Sequence, residues 1–490
     1  MRRHISWPLK GAAVPLNPPQ VPESDTRKQE RDDDRPTKWV SLVQTDVGQR
    51  AVVLGAGIGG LFAARVLADE FAEVVLVDRD RVTGVRTPRR GVPQGQHSHA
   101  LQARGLRIAE DLFPGLVDAM AADGAGIGDV LENVSWIVNG RQLSRPASRL
   151  TAVTASRPFL ERHLRERVAD LPNVTFREGH NVLGLDTTPD RTRVTGVRVL
   201  PGDGQGEEET LTAAVVVDAT GRASRTPAWL RELGYPQVAE ERLNIGLGYT
   251  SQHFRIPGEL PDGDIAINDV ASRELPRGAA LGRIDGDRII VTGYGILGDH
   301  PPTESAGFLR FIRSLSKPDI HQVIKDAEPL DEPVRYRFPT SLRRYYERMD
   351  RFPDGLVVLG DAVCSFNPVY AQGMTVAALS ALVLRRHLRA HGPLRPSAYF
   401  RDIAREVTDG TWGLMTVSDL RFPGVEGPRT LRTRLLQAYT RRVQAAATRD
   451  GEVAGAYMRV VGLLERPDAL RRPRIVLRVL RHALGLRASA

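Results

Sequence analysis

The chain has 490 residues, a formal charge of +9 and one cysteine, Cys364, so it is long enough for two or three packed units and cannot hold an internal disulfide. The charge is confined: residues 421–490 carry fifteen Arg against five Asp or Glu, a surplus of ten, which leaves the body near neutral and unsuited to a nucleic-acid-binding catalytic domain. No apolar run is long enough to cross a membrane and none follows Arg2-Arg3, so a soluble, cytoplasmic protein is the expectation.

Residues 1–48 are polar and proline-rich, with the charge run RKQERDDDRP, and are expected to be disordered. Order begins with AVVLGAGIGGLFAARVLADEFAEVVLVDRD, residues 51–80, which reads as strand, glycine turn, amphipathic helix and second strand. Gly55 suits the tight turn, Gly57 a close approach of backbone to a pyrophosphate, and Gly60 the helix–strand contact, with Ile58 and Gly59 in the same turn. Asp78, followed by Arg79, closes the second strand where a ribose hydroxyl would lie. A lone GxGxxG says little; inside a whole βαβ start with its acid at the expected distance, it points to a dinucleotide.

The next stretch, RVTGVRTPRRGVPQGQHSHALQARGL, is a loop that turns helical near Ala100. Arg89 and Arg90 are placed to meet phosphate or sugar-chain oxygens, and Gln94 adds a hydrogen-bonding group. His97 and His99 alternate as a metal pair would, but no Cys or clustered carboxylate accompanies them; local hydrogen bonding is expected and no metal. Strands follow within 131–156, then Arg157 opens a helix. An arginine there faces the wrong end of the helix dipole, which leaves a specific anion or a plain surface position as the readings. NVTFREGHNVLGLDTT, RVTGVRVL and TLTAAVVVDATG read as a strand meander whose last member ends on Asp218, with Gly221 just beyond.

Residues 241–345 read as long strands with a hairpin at Asp285-Gly286, a separate sheet roofing the crevice and suited to a sizeable apolar ligand. GLVVLGDAVCSFNPVYAQGMTVAALSA, residues 355–381, is a buried strand, an acid at its end and a loop leading into a helix. Asp361 can hold the hydroxyls of a sugar-like chain, and the free N–H groups near Gly373 and Met374 can stabilise negative charge on a ring. Residues 396–490 are mostly helical. The last segment sets Ile475, Val476, Val479, Leu480, Leu484 and Leu486 among arginines, as a cap on the protein's own core or, less favoured, as a peripheral contact with an anionic membrane.

Taken together, VVLGAGIGG, RRGVPQGQHSH, VVDATGR and VVLGDAVCSFNPVYAQGM resemble the class A flavoprotein monooxygenases, and within them the FAD-dependent epoxidases of polyether antibiotic pathways. The resemblance runs from about Ala51 to Arg386. It implies an α/β fold: a Rossmann-like FAD-binding domain of p-hydroxybenzoate-hydroxylase type in two parts, 49–240 (with inserted strands at about 131–156) and 346–395. A β-sheet substrate domain would span 241–345 and a helical basic region 396–490.

The same resemblance implies roles. Gly55, Gly57 and Gly60 would hold the pyrophosphate, Asp78 the adenosine ribose, and Val182 the adenine. Arg89 and Arg157 would reach the ribityl and phosphate region, Asp361 the ribityl hydroxyls, and the Gly373–Met374 amides the ring's pyrimidine edge. Pro368 would line the reactive face. Gln372 stands where these epoxidases lead one to expect histidine, so substrate or regiochemistry differs there. Ile58, Gly59, Arg79, Arg90, Gln94 and Gly221 complete the expected cofactor contacts. The implied reaction uses NAD(P)H, FAD and O2, through a flavin hydroperoxide, to insert one oxygen into a lipophilic, polyketide- or polyene-like substrate. No catalytic side chain is named, because the cofactor carries the reagent. No second GxGxxG serves NAD(P)H, so the nicotinamide binds transiently or a separate flavin reductase supplies electrons. Three rivals stand beside this reading. A flavin halogenase would need a relay lysine, and none occurs between Trp39 and Ser316. The others are a geranylgeranyl-type reductase and a non-catalytic FAD-binding scaffold, and within the oxygenase reading an aromatic or aliphatic hydroxylase of the same fold is the alternative to an epoxidase.

Overall fold

The computed structural model describes residues 50–202, 204–390 and 392–484; the N-terminal stretch expected to be disordered and Leu486 lie outside them. β1 (Arg50–Leu54), α1 (Ile58–Leu67) and β2 (Glu73–Asp78) follow one another as the glycine pattern requires. After β3 (Val134–Val138) come α2 (Arg157–Ala169), β4 (Val174–Glu178), the antiparallel trio β5 (His180–Thr187), β6 (Val194–Pro201) and β7 (Glu209–Thr212), and then β8 (Val215–Asp218). β9 (Glu240–Arg255), β10 (Ala266–Val270), β11 (Arg277–Arg283), β12 (Arg288–Gly295) and β13 (Val334–Arg344) precede β14 (Leu356–Val358) and α3 (Gly373–Arg389). α4 (Asp409–Asp419), α5 (Leu431–Ala447), α6 (Gly451–Val461) and α7 (Pro473–Ala483) belong to the C-terminal region.

The first sheet is parallel, in the order β14-β8-β1-β2-β4. Ala51–Leu54, Val74–Val77, Val215–Val217 and Leu356–Val358 are all buried, near-continuous apolar runs of the kind that strands covered on both faces need. Register then decides where a ligand can sit. Leu54 lies beside Asp218, and Asp218 beside Val358, so β1, β8 and β14 finish at one common edge.

The turn between β1 and α1 is close-packed. Gly55 sits at φ +92°, and a Cβ on Gly60 would lie 1.8 Å from the Gly55 carbonyl oxygen, so only glycine lets α1 start against that turn. A Cβ on Gly57 would meet nothing within 4 Å.

The stretch read as one strand over residues 173–188 is two. Gly179, at φ +66°, ends the parallel β4 and redirects the chain into the antiparallel β5. β3 keeps only the short Arg141–Gln142 strand beside it from its own stretch; on its other side it pairs in parallel with β10, Val134 opposite Ala266 through Val138 opposite Val270, and so extends the second sheet. That sheet runs β13-β9-β12-β11-β10-β3, flanked by short edge strands. Two helices absent from the strand-only reading, Ser305–Arg313 and Asp319–Ile324, cover its outer face by burying Phe308, Phe311, Ile312, Ile320 and Ile324 against Phe254, Leu281, Ile289 and Val291. The C-terminal helices close the β3 side. Val443, Ala446, Ala447, Val453, Ile475 and Val479 share a core with Leu131, Val138 and Leu143, and Asn139 Nδ2 donates to Gln444 Oε1 at 3.0 Å.

The two glycines of the turn separate packing from open space. Gly60→Ala is expected to cost more than about 2 kcal/mol in urea unfolding, since backbone must move, whereas Gly57→Ala should stay within about 1 kcal/mol.

Candidate functional site

One cavity of about 2130 Å³ begins at the common strand edge and continues between the second sheet and the C-terminal helices. At its strand-edge end, α1 starts at Gly57 with no side-chain cap and no acid in its first turn, and α3 starts at Gly373 in the same condition. Unpaired N–H groups at two helix starts thus border the cavity and favour anionic or electron-rich ligand atoms.

Two strand-end acids share this edge and differ in what they have left to give. Asp218 is fully buried, and Thr220, Ser224 and Thr226 all donate to its carboxylate, which shapes the turn through Gly221. Asp361 has no hydrogen-bond or ion-pair partner among the described residues, and burial pushes its pKa up against the pull of Arg157 and Arg222. A Cβ on Gly221 would lie 3.9 Å from the Asp361 Cβ, and one on Gly373 3.7 Å from Asp361 Oδ1, so the acid stands beside the start of α3. An unpartnered carboxylate next to bare amides is a natural host for a polyhydroxyl chain joined to an electron-poor ring.

The wall includes Gly55, Gly57, Ile58, Gly59, Asp78, Arg79, Arg89, Gln94, Arg157, Val182, Gly221, Asp361, Pro368, Gln372, Gly373 and Met374, so the structure gathers these expected site residues in one place. Gly60 is not on the wall; it is buried against Gly55, where its part is packing. Arg90 is exposed and off the wall, which removes it from the expected phosphate contacts.

Arg89 and Arg157 have internal partners that sequence reading did not supply. Glu161, one turn into α2, accepts from Arg157 Nε at 2.9 Å and from Arg89 Nη2 at 3.0 Å, and Arg89 also reaches Asp80 at 3.3 Å and Asp78 at 3.5 Å. Burial opposes ionisation of Glu161, but the charges of Arg157 and Arg89 outweigh it and hold the carboxyl below its ordinary range. The anion implied by an arginine at a helix start is therefore, in this structure, a side chain of the same helix. Asp78 accepts from Ala56 N at 2.7 Å and so pins the glycine turn.

Above the cavity, Tyr249 and Tyr336 stand with ring centres 5.3 Å apart, and His97 packs edge-on to Tyr249 at 4.6 Å. His97 Nδ1 shares a hydrogen bond with Ser251 Oγ, and His99 Nδ1 one with the His97 carbonyl, so both histidines are engaged locally. Burial, with His253 nearby, drives His97 down to about 4 and keeps the imidazole neutral near pH 7. Beyond the roof the walls turn largely apolar, with Trp136, Leu281, Ile290 and Phe338 and, from the C-terminal helices, Leu414 and Leu436, although Arg421, Arg432 and Arg441 line it too.

Asp419 was missed. From the end of α4 it accepts from Asn367 Nδ2 at 2.9 Å and from the Tyr370 hydroxyl at 2.6 Å, and so braces the loop that leads into α3. That loop holds Ala371 at φ +52°, strained for a residue with a Cβ. Gln372, buried beside it, donates to the Val461 carbonyl, while its Oε1 has no protein partner among the described residues. Nothing local to Asp419 marks it in the sequence; the signal lies in a loop fifty residues upstream.

Comparison with known proteins agrees with this geometry. A family described as "FAD binding domain" matches residues 49–392. The chain is 36% identical over 396 residues to Protein Rv3254 of Mycobacterium tuberculosis, covering 76% of this chain and 80% of that one. It is 28% identical to a kynurenine 3-monooxygenase of Salinispora arenicola, covering 70% and 73% of the two chains. It is also 27% identical to squalene monooxygenase 1,2 of Brassica napus, covering 71% and 62%.

Asp361→Ala is expected to weaken FAD binding about tenfold or more in a fluorescence titration while leaving the melting temperature unchanged or higher, because the carboxylate serves only a ligand. Asp419 gives a pH signature. Its pKa is pushed up to about 6 by burial, so it is protonated at low pH in both states, and the fold loses stability as pH rises from about 4 to 6. The loss is at most about 3 kcal/mol, and in denaturant titrations across this range Asp419→Asn should remove it.

Proposed function

Because the chain belongs to the FAD-binding-domain family and is an FAD-dependent monooxygenase drawing on NAD(P)H and O2, we propose that it inserts one O2-derived oxygen into a lipophilic substrate, most simply by epoxidising an alkene of a polyketide- or polyene-type chain. The observation that carries this reading is the continuity of the cavity. Its polar end suits a dinucleotide, and the same space runs on between apolar walls that suit an extended hydrocarbon.

The residues fit FAD: two uncapped helix starts, a glycine turn with room beside Gly57, and a carboxylate without a partner. Bound FAD supplies the activation of oxygen. The chain supplies the rest. Amides at Gly57, Ile58 and Gly59 would hold the pyrophosphate, Asp361 the ribityl hydroxyls, and the amides of Gly373 and Met374 the electron-rich, hydrogen-bond-accepting edge of the ring. Pro368 and the tyrosine roof set the face on which the substrate lies, and the apolar walls keep water from the reacting atoms. Reducing equivalents come from NAD(P)H bound transiently beside FAD or through a separate flavin reductase.

Hydroxylation of an aromatic ring is the second reading, and the similarity to a kynurenine 3-monooxygenase favours it. A base that takes a phenolic proton assists that chemistry, and His97, engaged with Ser251 and held near a pKa of 4, is a weak one. An isolated alkene needs no proton removed.

With purified chain, FAD, NAD(P)H and isotopically labelled O2, an apolar polyene is expected to gain one labelled oxygen as an epoxide, and no turnover is expected without O2. Oxygen-independent hydrogenation would replace the proposal with a reductase, and labelled phenols with inert alkenes would select the second reading.

A further inference from the structure

The C-terminal helices carry more apolar surface than their cap role uses. Five leucines there are exposed: Leu431 at 74%, Leu435 at 61%, Leu477 at 57%, Leu480 at 45% and Leu484 at 72%. On α7 they form a stripe of their own. Ile475 and Val479 face the core, while Leu477, Leu480 and Leu484, three and four residues apart, share the opposite face. On α5, Leu431 and Leu435 are one turn apart, and both border the cavity, as does Val476 of α7.

The charge carried by α5 and α7 themselves is of one sign. Neither α5 nor α7 contains an Asp or Glu. Arg474 and Arg478 are paired with Glu452 and Asp450 of α6 and its cap, but among the described residues Arg432, Arg434, Arg441, Arg442 and Arg481 have no carboxylate partner. No helix among the described residues is long and apolar enough to cross a membrane.

We propose that α5 and α7 form a peripheral docking surface for an anionic lipid bilayer. The exposed leucines enter the headgroup boundary, and the unpaired arginines meet lipid phosphates. A nucleic acid would satisfy the arginines but leave five leucines in water, whereas a bilayer satisfies both. Leu431 and Leu435 set the cavity's border on this surface, so a lipophilic substrate passes from the membrane into the cavity without crossing water, a route that rests on the substrate reading above.

Docking is tested without substrate or turnover, so its failure and that of the substrate reading are distinguishable. The full chain, loaded with FAD, is floated with phosphatidylcholine vesicles with and without phosphatidylglycerol. It should float with the anionic vesicles and stay behind with the neutral ones. Leu477→Ser combined with Leu480→Ser and Leu484→Ser should lower binding roughly tenfold or more, with circular dichroism and FAD content unchanged. Absence of flotation, binding indifferent to the three leucines, displacement by duplex DNA, or a leucine-dependent dimer in lipid-free size exclusion would each overturn the proposal.

Discussion

Two helices that begin with unsatisfied N–H groups at one sheet edge set the terms for the rest of this structure. The edge exists because β1, β8 and β14 lie side by side in register and stop together, and α1 and α3 start there without a capping side chain. Bare amides against an apolar interior are costly unless something accepts from them. A dinucleotide with a flavin ring offers both a diphosphate and an electron-rich, hydrogen-bond-accepting ring edge, and the free carboxylate of Asp361 would meet the hydroxyls between them. Around that constraint the second sheet becomes a roof and the C-terminal helices a third wall.

Much of the cofactor end was legible because its signals are local. Glycine spacing, the buried valine runs and a strand ending on Asp361 report backbone geometry within a few residues, and the structure brings Gly55, Gly57, Asp78, Gly221, Asp361 and Gly373 to one cavity. Charge partners were not legible, since pairing is decided by tertiary contact. Arg89 and Arg157 turn towards Glu161, seventy-two and four residues away, and Arg90 turns to solvent. The same reason hid Asp419, whose partners Asn367 and Tyr370 lie about fifty residues upstream. Strand membership failed in another way. Period-two patterning identifies β3 as a strand but holds no information on which sheet it joins, and its long-range neighbour proves to be β10.

The cavity divides its labour by polarity. Ionised groups gather at the strand edge, in a closed network of Asp78, Asp80, Arg89, Arg157 and Glu161 that fixes the glycine turn and the first turn of α2. Beyond the neutral His97 and the two roof tyrosines, the lining is largely aliphatic and aromatic, with Arg421, Arg432 and Arg441 of the C-terminal region also on the wall. Such a gradient would let one space hold a charged cofactor at one end and a largely uncharged ligand along the rest. Asp419 and Gln372 tie the loop before α3 to the C-terminal helices, so these helices also hold the loop from which α3 starts.

The central claim is that this edge binds FAD, and the flavin content of the purified full-length chain tests it most directly. The account predicts one tightly held FAD per chain, or stoichiometric uptake of added FAD with a shifted flavin absorption spectrum. A colourless chain that leaves the spectrum of added FAD unchanged would contradict it.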